Sequence, residues 1–338
     1  MLKEKIKIRS QYLLPKHLLT RLIGWLAAAK LGRFTTFIIS KFASFYNINL
    51  KEMQGKITDY PTFNDFFSRP LKPNARSLDP LIDSIVFPCD GRIGQYGDLI
   101  KDCQLQAKGH YFSIATLLAD ETEAADFHDG KFITVYLSPQ DYHRVHMPYS
   151  GKLQKMIYVP GELFSVNPLY VRNIPELFAR NERVVCLFET DLGKMAVVLV
   201  GAAIVRSIFT EWAGIVAPCK SSKIVEYDYT NQNFSYKKGA EIARFMMGST
   251  VICLFEKNKA DFIKDLAPEI KVKVGQKMAQ ALIMKDLNPQ PARRRGKTAT
   301  AAPTNTETEK IKRTTIAKTA VKKKTTPTSR KSRKASTQ

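Results

Sequence analysis

Apolar side chains return every three or four residues near the start of the chain. Leu18, Leu19, Leu22, Ile23 and Leu26 share one side behind Pro15, and Gly32 stops the pattern. A second helical stripe follows, with Phe34, Phe37, Ile38, Phe42 and Phe45 on one side and Arg33 and Lys41 between or opposite. A short helix ended by its proline is predicted over residues 63–70, and 71–80 reads as a linker. The period then changes. Residues 84–87, 133–137, 153–159, 184–188, 195–200, 224–229 and 251–255 are short apolar or alternating runs, and Ile270, Val272 and Val274 alternate as a late strand. Asp191-Leu192-Gly193-Lys194 fits a hairpin between two of these runs, and short helices fit 112–118 and 174–180. Many short strands with tight turns and few helices predict an α+β fold, in which amphipathic N-terminal helices accompany a mainly antiparallel β domain.

The 338 residues suffice for a full core, and a net charge of +22 is the unusual feature of the composition. Residues 289–338 hold 15 Lys and Arg against 2 Asp and Glu, a net of +13, which leaves 22 − 13 = +9 for residues 1–288. With almost no aromatic or large apolar residues, that tail cannot bury enough surface to fold and is expected to be disordered. It could hold anionic lipid, bind nucleic acid through phosphates, or serve as a solvated extension. The five cysteines, Cys89, Cys103, Cys186, Cys219 and Cys253, include no Cys-x-x-Cys pair and fit reduced buried thiols better than a disulfide framework. No apolar run approaches the ~20 residues that span a bilayer. The best, residues 22–29, is closed by Lys30, and amphipathic sequence continues past it, unlike a cleaved export signal. The two N-terminal stripes themselves read either as helices lying in a membrane interface, with Trp25 and the phenylalanines in the acyl boundary, or as helices packed on the core.

Four stretches carry candidate chemistry. Phe245-Met246-Met247-Gly248-Ser249-Thr250 leads into an apolar strand and sets a hydroxyl beside a glycine carbonyl. One reading is a turn before a strand. The other is self-cleavage: Ser249 Oγ attacks the Gly248 carbonyl to give an ester, loss of the Ser249 α-proton expels it, and the dehydroalanine left behind hydrolyses to a pyruvoyl group with release of ammonia. Tyr142-His143-Arg144-Val145-His146-Met147-Pro148 holds two of the five histidines. The spacing admits metal, but no zincin glutamate or cysteine pair accompanies it, so no metal is assigned and a general base is the better chemical reading. On a strand His143 and His146 would face opposite sides, whereas a turn or bulge would turn both into one cleft. Asp90, in Pro88-Cys89-Asp90-Gly91, could orient a histidine in a Ser-His-Asp relay or cap its own turn. Gly91, Gly94 and Gly97 have the wrong spacing for a nucleotide loop.

Taken together, and with Pro160-Gly161-Glu162-Leu163-Phe164-Ser165-Val166-Asn167 and the 63–73 stretch Phe-Asn-Asp-Phe-Phe-Ser-Arg-Pro-Leu-Lys-Pro, these segments resemble the phosphatidylserine decarboxylases in order and spacing over residues 10–285. The resemblance implies a pyruvoyl enzyme that converts phosphatidylserine to phosphatidylethanolamine in phospholipid biosynthesis, with large and small chains cut from one precursor between Gly248 and Ser249. It implies that Asp90, His146 and Ser249 form the self-cleavage relay, that Ser249 becomes the pyruvoyl group that binds substrate, and that His143 assists decarboxylation by protonating the carbanion. It further implies a homo-oligomer, a dimer of the processed pair, on the cytoplasmic face of the bacterial inner membrane. Because the lipid's acyl chains stay in the bilayer, this chemistry favours the membrane reading of the N-terminal stripes. The expected regions are 1–75, helical and membrane-associating; 76–288, catalytic; and 289–338, the tail, about which the family pattern says nothing. Met247 stands where the family usually has leucine. Two other readings stay open: an inactive adaptor that binds membrane or nucleic acid with the same fold, nucleic acid being the less expected partner, and a serine hydrolase that keeps Ser249 as a serine.

Overall fold

The computed structural model describes residues 4, 8–9, 12, 16–101, 103–107, 110–202, 207–217, 221–246 and 249–282. Met247, Gly248 and the basic tail 289–338 lie outside the described residues. The chain divides into Met1–Leu287 and Asn288–Gln338, and everything described below belongs to the first unit.

The expected α+β architecture is present, and its strand pairings are antiparallel throughout the named sheets. With strands numbered along the chain, the largest sheet runs β12 (Val225–Asp228), β7 (Gly151–Val159), β8 (Arg183–Thr190), β9 (Gly193–Val200), β15 (Ser249–Phe255), β5 (Lys131–Leu137), β2 (Gly91–Asp98) and β17 (Lys271–Val272). β13 (Ser235–Tyr236) also pairs with β7. A four-stranded sheet orders β11 (Gly214–Ala217), β10 (Ile208–Thr210), β14 (Glu241–Phe245) and β6 (Arg144–His146). A three-stranded one orders β1 (Ser84–Val86), β18 (Lys277–Ala281) and β16 (Ala260–Phe262), and β3 (Cys103–Ala107) pairs with β4 (His110–Ser113).

The large sheet is the middle layer of three. Successive side chains of a strand point to opposite faces, so Val251, Cys253 and Phe255 of β15 join Ile133, Val135 and Leu137 of β5 in a core shared with Val145, Ile208 and Ile242 of the four-stranded sheet. Ile252 and Leu254 point the other way, into a core built with the short helices α4 (Ile114–Leu118), α5 (Glu121–Ala125) and α7 (Leu177–Arg180), while α6 (Pro168–Val171) lies near its rim. Burial on both faces is why β9 and β15 read in sequence as unbroken apolar runs. Arg183 of β8 is buried in the helix-side layer with no carboxylate partner among the described residues. Its guanidinium donates to the carbonyls of Thr116 and Leu117 at 2.6 and 2.7 Å and of Ala179 and Asn181 at 2.5 and 3.0 Å. These carbonyls lie at the C-terminal ends of α4 and α7, where helix dipoles favour a cation. Burial still pulls its pKa down to about 9.

The N-terminal stripes form α1 (Lys16–Ala28) and α2 (Arg33–Phe45), followed by α3 (Phe63–Phe67). Thr62 caps α3 by accepting the Asp65 amide at 3.1 Å. The aromatic stripe expected along α2 divides. Thr35, Ile39 and Ala43, four residues apart, face inward, and Phe42 packs against Phe63 and Phe67 in a small separate core. Trp25, Phe34, Phe37 and Phe45 remain 68, 56, 56 and 78% exposed, too much for a face that packs on the rest of the fold. Among the described residues no single helix is long and apolar enough to cross a membrane. Leu22–Ala28 and Arg33–Phe45 meet that test only together, bent by 112°. The stretch 71–80, read as a linker, is fastened down: Leu71 bridges to Met53, the Lys72 amide donates to Glu52 O at 2.9 Å, and the Asp79 amide donates to Gly275 O at 2.9 Å.

Candidate active site

Ser249 is the first residue of β15 and is opposite Leu137, the last residue of β5. One pair further in, on the other side of β5, Tyr136 faces Arg92. Gly91 follows Asp90 there, so Asp90 is two strand spacings from Ser249, roughly 10 Å across the sheet. Only glycine fits at 91, because a Cβ there would come within 2.3 Å of the Tyr136 carbonyl oxygen. Too distant to touch directly, the serine and the aspartate need something between them.

The loop that leaves β5 supplies it. Ser138 and Asp141 close its first turn, Ser138 N–H and Oγ donating to Asp141 Oδ2 at 2.8 and 2.6 Å. From there the chain is laced to both candidates. The Phe245 amide, four residues before Ser249, donates to His143 O at 2.9 Å, while the His146 amide donates to Pro88 O at 2.7 Å, two residues before Asp90. The histidine segment therefore joins the turn holding Asp90 to the stretch leading to Ser249.

Neither a turn nor a bulge brings the two imidazoles into one cleft. His143 is buried against Phe67, with ring centroids 4.1 Å apart. Its Nδ1–H donates to Asp141 O at 2.9 Å, which leaves Nε2 bare and without a hydrogen-bond partner among the described residues. Burial, partly offset by that hydrogen bond and reinforced by the charge of Arg69, lowers its pKa to about 3, so the ring is neutral. His146 lines a separate cavity of about 340 Å³ with Arg76, Tyr142, Arg144, Gly239 and Glu241. Its Nδ1–H donates to Gly239 O at 2.9 Å and its Nε2 accepts Tyr142 O–H at 3.1 Å. Burial lowers its pKa as well.

Asp90 does not hydrogen-bond to His146. Its Oδ1 accepts Arg76 Nε–H at 2.9 Å and the Val274 amide at 3.0 Å, and its Oδ2 accepts Arg76 Nε–H at 3.1 Å and Arg76 Nη2. The Ser249 hydroxyl is fully buried and bonds to nothing among the described residues. Thr250 points to the opposite face, where its unpartnered hydroxyl lines a cavity of about 220 Å³ with Gln95, Thr134, Tyr136, Val166 and Phe178. Val166 comes from the Pro160–Asn167 motif.

Three contributors escape a reading of motifs. Arg76 lies in the stretch expected to be a linker, Gly239 in a stretch without pattern, and Tyr142 beside the two histidines of residues 142–148. A partnerless arginine amid proline and alanine was the only available signal. Among the described residues no group of three or more His, Cys, Asp or Glu could hold a metal ion.

Comparison with known proteins bears on the same segments. The family model for phosphatidylserine decarboxylase matches residues 63–280, and a second, described as PSD, matches residues 6–47. The phosphatidylserine decarboxylase proenzyme of Actinobacillus pleuropneumoniae serotype 3 is 49% identical over 282 residues, covering 82% of this chain and 95% of the relative. That of Shewanella sediminis is 51% identical over 283 residues, covering 82 and 99%, and that of Haemophilus ducreyi 48% over 284, covering 82 and 96%. With a domain-long match to the family model and near 50% identity along almost the whole length of these relatives, the chain belongs to the phosphatidylserine decarboxylase family.

Proposed function

We propose that this chain cuts itself between Gly248 and Ser249 and, with the pyruvoyl group made from Ser249, decarboxylates phosphatidylserine to phosphatidylethanolamine at a membrane surface. The observation that carries the reading is the Ser249 hydroxyl: buried at the head of a strand and bonded to nothing among the described residues, it is free to be consumed. A satisfied structural serine in that position would have an acceptor, since burying an unpaired hydroxyl costs about 1–3 kcal/mol. Attack of Oγ on the preceding carbonyl needs a base for its proton. His146 fits that role, with its proton fixed on Nδ1 by Gly239 and its Nε2 held only by Tyr142 among the described residues, while the charges of Glu241 and, more weakly, Asp90 favour the imidazolium against the burial that lowers its pKa. Nothing needs a metal.

Once formed, the pyruvoyl group supplies the electron sink for loss of carbon dioxide. The rest falls to side chains. The substrate amine arrives as an ammonium ion and must lose a proton to react, and the carbon that loses carbon dioxide must gain one. His143, whose Nε2 is bare among the described residues, is the group we assign to the second demand, delivering the proton to carbon. The test is direct. Purified protein left to mature should give a large chain ending at Gly248 and a small chain of 338 − 248 = 90 residues, whose terminal mass is that of pyruvoyl in place of serine, and should release carbon dioxide from phosphatidylserine vesicles. A continuous chain with serine at 249 would refute it, and labelling of that serine by a fluorophosphonate would favour the hydrolase reading.

The exposed side of α1 and α2 supports a peripheral position on the cytoplasmic face of the inner membrane. Trp25, Phe34, Phe37 and Phe45 form an aromatic outer surface flanked by Arg33 and Lys41. Burying one such ring in the acyl boundary contributes about 1.5–3 kcal/mol. Trp25→Glu with Phe34→Glu should therefore cut co-sedimentation with anionic vesicles by more than about tenfold while self-cleavage in detergent proceeds as before. Undiminished vesicle binding would remove this surface from the account.

A further inference from the structure

Arg76 holds more of the candidate site together than either histidine does. Its Nε and Nη2 grip both oxygens of Asp90, its Nη1 donates to Glu52 Oε2 at 2.8 Å and to Ala75 O at 2.7 Å, and Lys273 stands 3.5 Å from the other Glu52 oxygen. Asp90 is 6% exposed. Three N–H donors hold its carboxylate: Arg76 Nε–H, shared between both oxygens, Arg76 Nη2 and the Val274 amide. The His146 Nδ1–H goes to Gly239 and not to Asp90. Arg76 and Tyr142 also line both the cavity containing His146 and a neighbouring one of about 230 Å³ containing Asp90, so they stand between the two groups.

We infer that Arg76 is a positioning residue for self-cleavage: its planar fork fixes where the Asp90 charge sits relative to His146, and Asp90 acts on the imidazole through space. This rests on the relay proposed above. The fork matters because a lysine ammonium is a point charge on a flexible stem and cannot fix the plane of a carboxylate. Glu52 anchors the far side of the guanidinium and is replaceable, since Asp90 and Ala75 hold Arg76 without it.

The experiment follows the cleavage time course of the full chain on denaturing gels for the wild type, Arg76→Gln, Arg76→Lys, Arg76→Ala and Glu52→Gln. Arg76→Gln should slow cleavage by about 100-fold and Arg76→Lys by about tenfold, with Glu52→Gln within about threefold of wild type. Guanidinium chloride at tens of millimolar should speed Arg76→Ala at least about fivefold where sodium chloride at the same strength does not, a rescue that a merely structural loss would not show. Folding is checked by the denaturant midpoint of each variant combined with Ser249→Ala. Cleavage of Arg76→Gln or Arg76→Lys at the wild-type rate would overturn the inference, as would a folded Arg76→Ala that guanidinium leaves untouched. Should Arg76→Ala not fold, the lysine variant decides. A wild-type chain that stays whole would overturn the self-cleavage reading itself, and this inference with it.

Discussion

Ser249→Ala remains a single 338-residue chain under conditions in which the wild type separates into chains of 248 and 90 residues, and it releases no carbon dioxide from phosphatidylserine. The expected loss is complete because the hydroxyl is both the attacking group and the material of the electrophile, so no other side chain can stand in. Its value lies in what the substitution leaves alone. The hydroxyl is fully buried and unpartnered, so its removal lifts a desolvation penalty of about 1 kcal/mol or more, and the alanine variant should unfold at the same or a slightly higher denaturant concentration than an uncut wild-type chain. The Thr250 to Phe255 ladder to β5 and β9 does not involve the side chain. Inactivity of a chain with undiminished stability cannot be blamed on misfolding. A cleaved Ser249→Ala, or one that still forms phosphatidylethanolamine, would end the proposal, and a marked drop in stability would show that the hydroxyl has a structural partner after all.

How far the sequence revealed this arrangement depends on the kind of signal each part carries. Strands buried on both faces were legible as apolar runs, and the β8–β9 hairpin as Asp191-Leu192-Gly193, where Gly193 takes φ 99°. β2 was not, because Gly91, Gly94 and Gly97 suppress strand propensity, while close approach demands the first two: a Cβ at 94 would come within 2.6 Å of Thr134 Oγ1. The helix expected over 112–118 begins two residues later, after β4, with Ser113 as its cap. At the site, Ser249, Asp90 and the histidines stood out because their residue types perform chemistry. Their partners did not: Gly239 and Asp141 act through backbone carbonyls, which leave no mark on the sequence, and Arg76 acts from a loop whose course depends on contacts with Glu52 and Gly275. The register that puts Ser249 opposite Leu137 is likewise a property of the assembled sheet.

Acid should destabilise the fold through His143 before the carboxylates begin to take up protons. The ring is buried and fixed in its neutral form, with Arg69 the charged group that bears on it and Phe67 against its face, and its pKa falls from 6.5 to about 3. In an unfolded chain the same side chain titrates normally. Between these two values the unfolded state binds a proton that the folded state refuses, so stability is fully present above about pH 6.5 and is lost as the pH falls toward 3, at up to about 1.4 kcal/mol per unit from this residue. In the uncut Ser249→Ala background, His143→Gln should remove that slope: from pH 6.5 to 5 the parent should lose about 2 kcal/mol more than the glutamine variant in urea unfolding. Other histidines, His146 among them, contribute equally to both and cancel. Equal slopes would mean that His143 titrates inside the fold as it does in the unfolded chain and is not held neutral by burial. A steeper slope in the parent would show that the folded ring resists protonation, so the proton it delivers to carbon has to reach it within the reaction cycle.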